Sequence, residues 1–107
     1  MEPSRILLVD DHVLLRKGIA ALLATREDMV VVGEAGNGLE AIALARKTAP
    51  DIILMDLLMP ECGGLEAIKV LKQEMPHVHI VILTVSEDDR HLFQTWLIGN
   101  ADRSSLS

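Results

Sequence analysis

The sequence predicts an α/β fold, a parallel sheet with helices on both of its faces. Three observations predict it. Short aliphatic runs of strand-forming residues alternate with stretches whose apolar residues recur at helical spacing. The runs are apolar throughout, as strands covered on both faces are. The links between them are short, which implies right-handed crossovers between parallel strands. A chain of 107 residues suffices for one such domain.

Each element can be justified in order. Residues 6–9, Ile-Leu-Leu-Val, form the first strand, which stops at Asp10 and Asp11. Over 12–24, Val13, Leu14, Gly18, Ile19, Leu22 and Leu23 fall at helical spacing, with Arg16 and Lys17 expected on a solvated face. Residues 29–32 are the second strand, and the glycines of 33–38 read as the turn before a helix over 39–47 that ends ahead of Pro50. A third apolar run, 52–55, stops at Asp56. Pro60, Gly63 and Gly64 mark a loop, and 65–74 is helical up to Pro76. Residues 80–83 are the fourth strand, closing at Thr84. Ser86, followed by Glu87, Asp88 and Asp89, has the pattern of a capped helix start, and that helix is expected to reach Ile98. Residues 1–98 are thus one folded unit, and 99–107 a polar tail.

Composition narrows the function. Half of the residues are hydrophobic, which excludes a disordered chain, and with one Phe, one Trp and no Tyr the core is aliphatic. The net charge is −6 and no long basic run is present, so direct binding of nucleic acid is not expected. The single Cys62 excludes an internal disulfide or a cysteine zinc site. No apolar stretch approaches the roughly 18 residues that span a bilayer, and the first residues are too acidic for a signal peptide. A cytoplasmic protein without membrane contact is expected.

In a parallel α/β sheet, ligands bind at the carboxyl ends of the strands. Those ends carry Asp10, Asp11, Asp56 and Thr84. Three carboxylates gathered beside an aliphatic core repel one another, and a hard divalent cation such as Mg²⁺ relieves the repulsion. A carboxylate beside Mg²⁺ can attack phosphorus, and a hydroxyl such as that of Thr84 can donate to a phosphoryl oxygen. His12 reads as a first-turn residue near solvent, and His77, His79 and His91 lack metal-ligand spacing.

Four segments, ILLVDDHVLLRKGIAALL, VVGEAGNGLEAIALA, PDIILMDLLMPECGGLEAI and VHIVILTVSEDD, resemble the receiver domain of bacterial two-component response regulators. They are most similar to receivers followed by a LuxR-type helix-turn-helix domain. The resemblance implies a flavodoxin-like (CheY-like) three-layer α/β/α fold with strand order 2-1-3-4(-5). It implies Asp56 as the acceptor of a phosphoryl group from a sensor histidine kinase and Thr84 as the switch hydroxyl. Asp10, Asp11, Asp56 and the main-chain carbonyl of Leu58 would then hold Mg²⁺. DNA would be contacted only through a C-terminal helix-turn-helix domain. The domain would be regulatory rather than an enzyme, at most phosphorylating itself from small donors and slowly losing the phosphate. A phosphatase of the haloacid dehalogenase type would need a second aspartate where Leu58 stands.

The resemblance lapses after Gly99. The family continues with a fifth strand and helix, and its lysine and switch aromatic fall here on Leu106 and Arg103. Two expectations follow. A degenerate receiver, acting as an interaction module without phosphorylation, is the alternative function. Without a fifth strand, 79–84 would be an uncovered apolar edge, so a homodimer or oligomer is expected through that edge or the helix over 88–98.

Overall fold

A computed structural model of the chain describes residues 2–56, 64–84 and 96–100, and at Thr84 and 96–100 it describes the backbone alone. Its elements are β1 (Ser4–Val9), α1 (Val13–Ala24), β2 (Met29–Ala35), α2 (Gly38–Thr48), β3 (Ile52–Asp56), α3 (Gly64–Glu74), β4 (His79–Thr84) and β5 (Trp96–Asn100). The sheet order is β2-β1-β3-β4-β5. The first four strands are parallel, as the sequence predicts, and β5 runs antiparallel to β4.

The right-handed rule places α1 on one face of the sheet and α2 and α3 on the other. On the α2/α3 face, Leu7, Val9, Ile53, Met55 and Ile80 of the sheet meet Ala41, Ala45, Ala67 and Leu71 of the helices in one buried cluster. Small alanines let these helices approach the sheet closely, and Leu71 of α3 is buried in the same cluster. Asn37 caps α2 by accepting the Glu40 amide, while the Glu40 side chain accepts the Gly36 amide. The helix ends at Ala49, which takes a left-handed conformation (φ 47°) before Pro50.

Two expectations are corrected. β2 does not close at residue 32; it continues through Gly33 and Glu34 to Ala35. A bulge lets this happen, since Ile6 pairs with Val31 but Leu7 with Gly33. A Cβ at Gly33 would stand 3.2 Å from Leu7 Cδ1, so the glycine there reflects close packing, not a turn. The second correction concerns the C-terminal part. Residues 85–95 of the expected helix lie outside the described residues, but Trp96, Leu97 and Ile98 belong to a strand. β5 occupies the β4 edge proposed for pairing with a second chain, with a register shift opposite Ile82 and Leu83. Trp96 and Ile98 are good strand formers, and the capping signal at Ser86 lies ten residues earlier, too far to fix the state of 96–98. No helix among the described residues is long and apolar enough to cross a membrane.

Candidate functional site

β1 and β3 are neighbours, with Val9 opposite Met55. One residue further, Asp10 leaves β1 beside Asp56, the last residue of β3. Both are buried, with 4% and 8% of their surface exposed. Asp11 and His12 follow in the turn into α1, where His12 is the N-cap residue but makes no side-chain capping bond. One ligand atom from each of Asp10, Asp11, His12 and Asp56 lies within 4.8 Å of every other. The structure therefore brings together the three carboxylates singled out from the strand ends.

The pocket is held locally by its own backbone. The Asp10 amide donates to the Ala35 carbonyl at 3.0 Å, and Asp10 Oδ1 accepts the His12 amide at 2.8 Å. Burial pushes the Asp10 carboxyl above the ordinary aspartate range; the His12 amide opposes this, and the nearby Asp56 carboxylate adds to it. Asp11 Oδ1 is buried and accepts no hydrogen bond from the described residues, although His12 Nδ1 is 3.3 Å away. A buried carboxylate oxygen without a donor, facing two further carboxylates, fits a hard cation with oxygen ligands.

Thr84 ends β4 next to this pocket, since Leu83 is opposite Asp56 and Thr84 is one step beyond. Its backbone is placed as expected; its side chain is not described. Leu58 lies outside the described residues, as does Cys62. His12, read as a residue near solvent, is 44% exposed at its side chain but also reaches the acids, with Nδ1 3.4 Å from Asp10 Oδ1. Arg16 is the clearest miss. Expected on a solvated face, its side chain is only 14% exposed and is folded over the ends of β1 and β2. Its partner Glu34 was hidden in a segment read as a turn.

A doubly wound sheet with clustered acids at the ends of its first and third strands fits the class of signalling receivers built on this fold. The family model of the response regulator receiver domain matches residues 6–103, and the chain belongs to that family as the receiver of a two-component response regulator. The transcriptional regulatory protein YhcZ of Bacillus subtilis is 46% identical over 95 residues, covering 89% of this chain and 44% of that protein. The response regulator protein VraR of Staphylococcus epidermidis is 42% identical over 90 residues, covering 84% of this chain and 43% of that protein. Among solved structures, a two-component response regulator of the LuxR family from Aurantimonas superposes with a TM-score of 0.74 at 41% identity, covering 80% of this chain and 61% of that one. The chain spans less than half the length of the curated relatives it matches.

Proposed function

We propose that this receiver accepts a phosphoryl group on Asp56 from a sensor histidine kinase, with Mg²⁺ held by Asp10, Asp11 and Asp56. The main-chain carbonyl of Leu58 would complete the protein ligands. The observation that carries the reading is the convergence of the three carboxylates, with one buried Asp11 oxygen left without a donor. A carboxylate oxygen of Asp56 attacks phosphorus as the bond to the phosphohistidine nitrogen breaks, giving an aspartyl phosphate and a neutral imidazole. Bound Mg²⁺ would supply charge neutralisation for the phosphoryl oxygens. The chain's own contribution is to hold the acceptor rigidly at the end of β3, in a pocket walled by apolar strands, while Thr84 is stationed one step along the neighbouring strand to donate to the phosphoryl group. In this reading the setting is cytoplasmic. Phosphorylation controls transcription through a helix-turn-helix domain of the LuxR type, as the resemblance of the sequence implies, and this receiver itself does not touch DNA. The domain is regulatory rather than a turnover enzyme.

The absence of lysine and an aromatic at Leu106 and Arg103 favours slow phosphorylation and, as a second reading, an interaction module that works without phosphate. Intact-mass measurement after incubation with acetyl phosphate, with and without Mg²⁺, separates the two. One Mg²⁺-dependent phosphoryl addition, lost in Asp56→Asn and reduced at least about tenfold in Asp11→Ala, is expected. No addition to the wild-type chain under any condition would leave the interaction module as the reading.

A further inference from the structure

α1 begins at the acid pocket, yet none of its residues is fully buried. Its apolar residues Leu15, Ile19 and Leu23 are only half-buried, so polar ties add to its anchoring. The strongest polar tie is Arg16, whose side chain runs back from the first turns of α1 across the carboxyl ends of β1 and β2. Its Nη1 donates to the main-chain carbonyl of Asp10 at 2.7 Å and reaches the Ala35 carbonyl at 3.5 Å. Its Nε donates to Glu34 Oε1 at 3.0 Å. Lys17 Nζ lies 3.2 Å from the same Glu34 oxygen. Burial raises the Glu34 carboxyl, but the hydrogen bonds from Arg16 and Lys17 prevail and hold it below the ordinary glutamate range.

The bond to Asp10 matters because of what that carbonyl is attached to. The peptide joining Asp10 to Asp11 carries a carboxylate on either side, so a rotation of that peptide swings both ligands. The Asp10 amide and carboxylate are already tied, to Ala35 and to the His12 amide. Arg16 fixes the remaining backbone group, the carbonyl, and does so from a guanidinium locked in turn by Glu34. A planar fork can serve both partners at once; an ammonium at the end of a lysine stem cannot reproduce that geometry.

We infer that Arg16 is a positioning residue for the cation site: by holding the Asp10 carbonyl and the Glu34 carboxylate together, it sets the direction of the Asp10 and Asp11 carboxylates. The inference rests on the cation-binding reading of the acid pocket. Charge and position make opposite predictions here. A guanidinium near the pocket repels a cation, so removing the charge alone would tighten binding. Losing the positioning would weaken it.

The test is a titration of the whole chain with Mg²⁺, followed by calorimetry and by amide resonances, in wild type, Asp11→Ala, Arg16→Gln, Arg16→Lys and Glu34→Gln. Leu23→Ala, half-buried in α1 and away from the pocket, controls for lost stability. Arg16→Gln is expected to weaken Mg²⁺ binding about tenfold, as loss of a residue that orients ligands does. Arg16→Lys and Glu34→Gln should fall between it and wild type, and Leu23→Ala should bind as wild type does. Binding by Arg16→Gln equal to or tighter than wild type would overturn the inference while leaving the cation site intact. Should Arg16→Gln fail to fold, Arg16→Lys decides: weaker binding supports the positioning role, and unchanged binding removes it. If wild type and Asp11→Ala respond alike, the cation reading itself fails, and the role of Arg16 falls with it.

Discussion

The two faces of the sheet are built to different standards. On the α2/α3 face, Ile53, Met55, Ile80, Ala67 and Leu71 have no exposed surface at all. On the α1 face, Ile6 and Leu8 at the sheet centre are buried, but Ile52, Leu54 and Val81 are only half-buried. No residue of α1 is buried, Leu14 being 87% and Leu22 70% exposed. The acid pocket straddles this divide. Asp56 belongs to β3, pinned by the closed core beneath it. Asp11 and His12 belong to the start of α1, where apolar packing is thin and polar ties take over. A site of this kind has one fixed wall and one adjustable wall, and the adjustable wall is where Arg16 acts.

The largest expected effect tests this contrast directly. Leu71→Ala empties a fully buried position between α3 and the sheet, and should cost about 2–5 kcal/mol of unfolding free energy. Leu22→Ala removes the same atoms from an exposed position on α1 and should change stability by no more than about 0.5 kcal/mol. Urea denaturation of both variants measures the difference. Comparable losses would show that a partner or another part of the chain covers α1 in solution.

Next in size are the two acids at the divide, which respond to pH with opposite sign. Glu34 is held below the ordinary glutamate range, so its contribution is present at neutral pH and is lost as pH falls through its folded value. Glu34→Gln should therefore cost about 1 kcal/mol at neutral pH and almost nothing in acid. Asp10 is raised by burial, so the folded state keeps its proton to higher pH than the unfolded chain does. Its ionised form is a penalty that sets in as pH rises from the ordinary aspartate value through the raised one. Asp10→Asn should stabilise the cation-free protein at neutral pH and be neutral in acid, and Mg²⁺ should shrink the advantage by stabilising wild type more than the variant. Denaturation series at several pH values, with and without Mg²⁺, check both. A destabilised, cation-free Asp10→Asn at neutral pH would contradict the account of the pocket.

These contrasts also explain what could be read from the sequence. The strands of the closed core were legible because a run such as Ile-Ile-Leu-Met has one consistent explanation, burial on both faces. Asp10, Asp11 and Asp56 were legible because each stops such a run, and parallel topology brings those stops to one edge. Arg16 was not legible: a charge on an amphipathic helix is usually solvated, and its partners at Asp10 and Glu34 are set by tertiary approach. Glu34 was obscured by Gly33, whose low strand propensity hides the fact that Leu7 closely approaches the space a side chain would take. The strand at Trp96–Asn100 was lost to a local capping signal, because its pairing with β4 is long-range.

The sharpest comparison ends on the smallest single change, Gly18→Ala, since the same substitution should act with opposite sign on the two faces. Gly18 sits in the interior of α1, and a Cβ added there would meet nothing within 4 Å. Gly18→Ala therefore incurs no packing penalty and gains the helix preference of alanine over glycine, about 0.5–1 kcal/mol. At Gly33 the added Cβ would approach Leu7 Cδ1 to 3.2 Å and Leu44 Cδ1 to 3.7 Å. Leu7 is fully buried, so any shift of its side chain must be taken up by the packed residues around it. Overpacking of a filled core costs about 1–3 kcal/mol, more than alanine recovers from reduced chain entropy in the unfolded state, so Gly33→Ala should be net destabilising. Thermal melts of the two single variants and the double variant decide the matter. The sites share no contact partner, so the double variant should show the sum of the two changes. A gain at Gly33 would mean that the α2/α3 face is not filled. A loss at Gly18 would mean that something packs on α1, and the face that looks open would be closed.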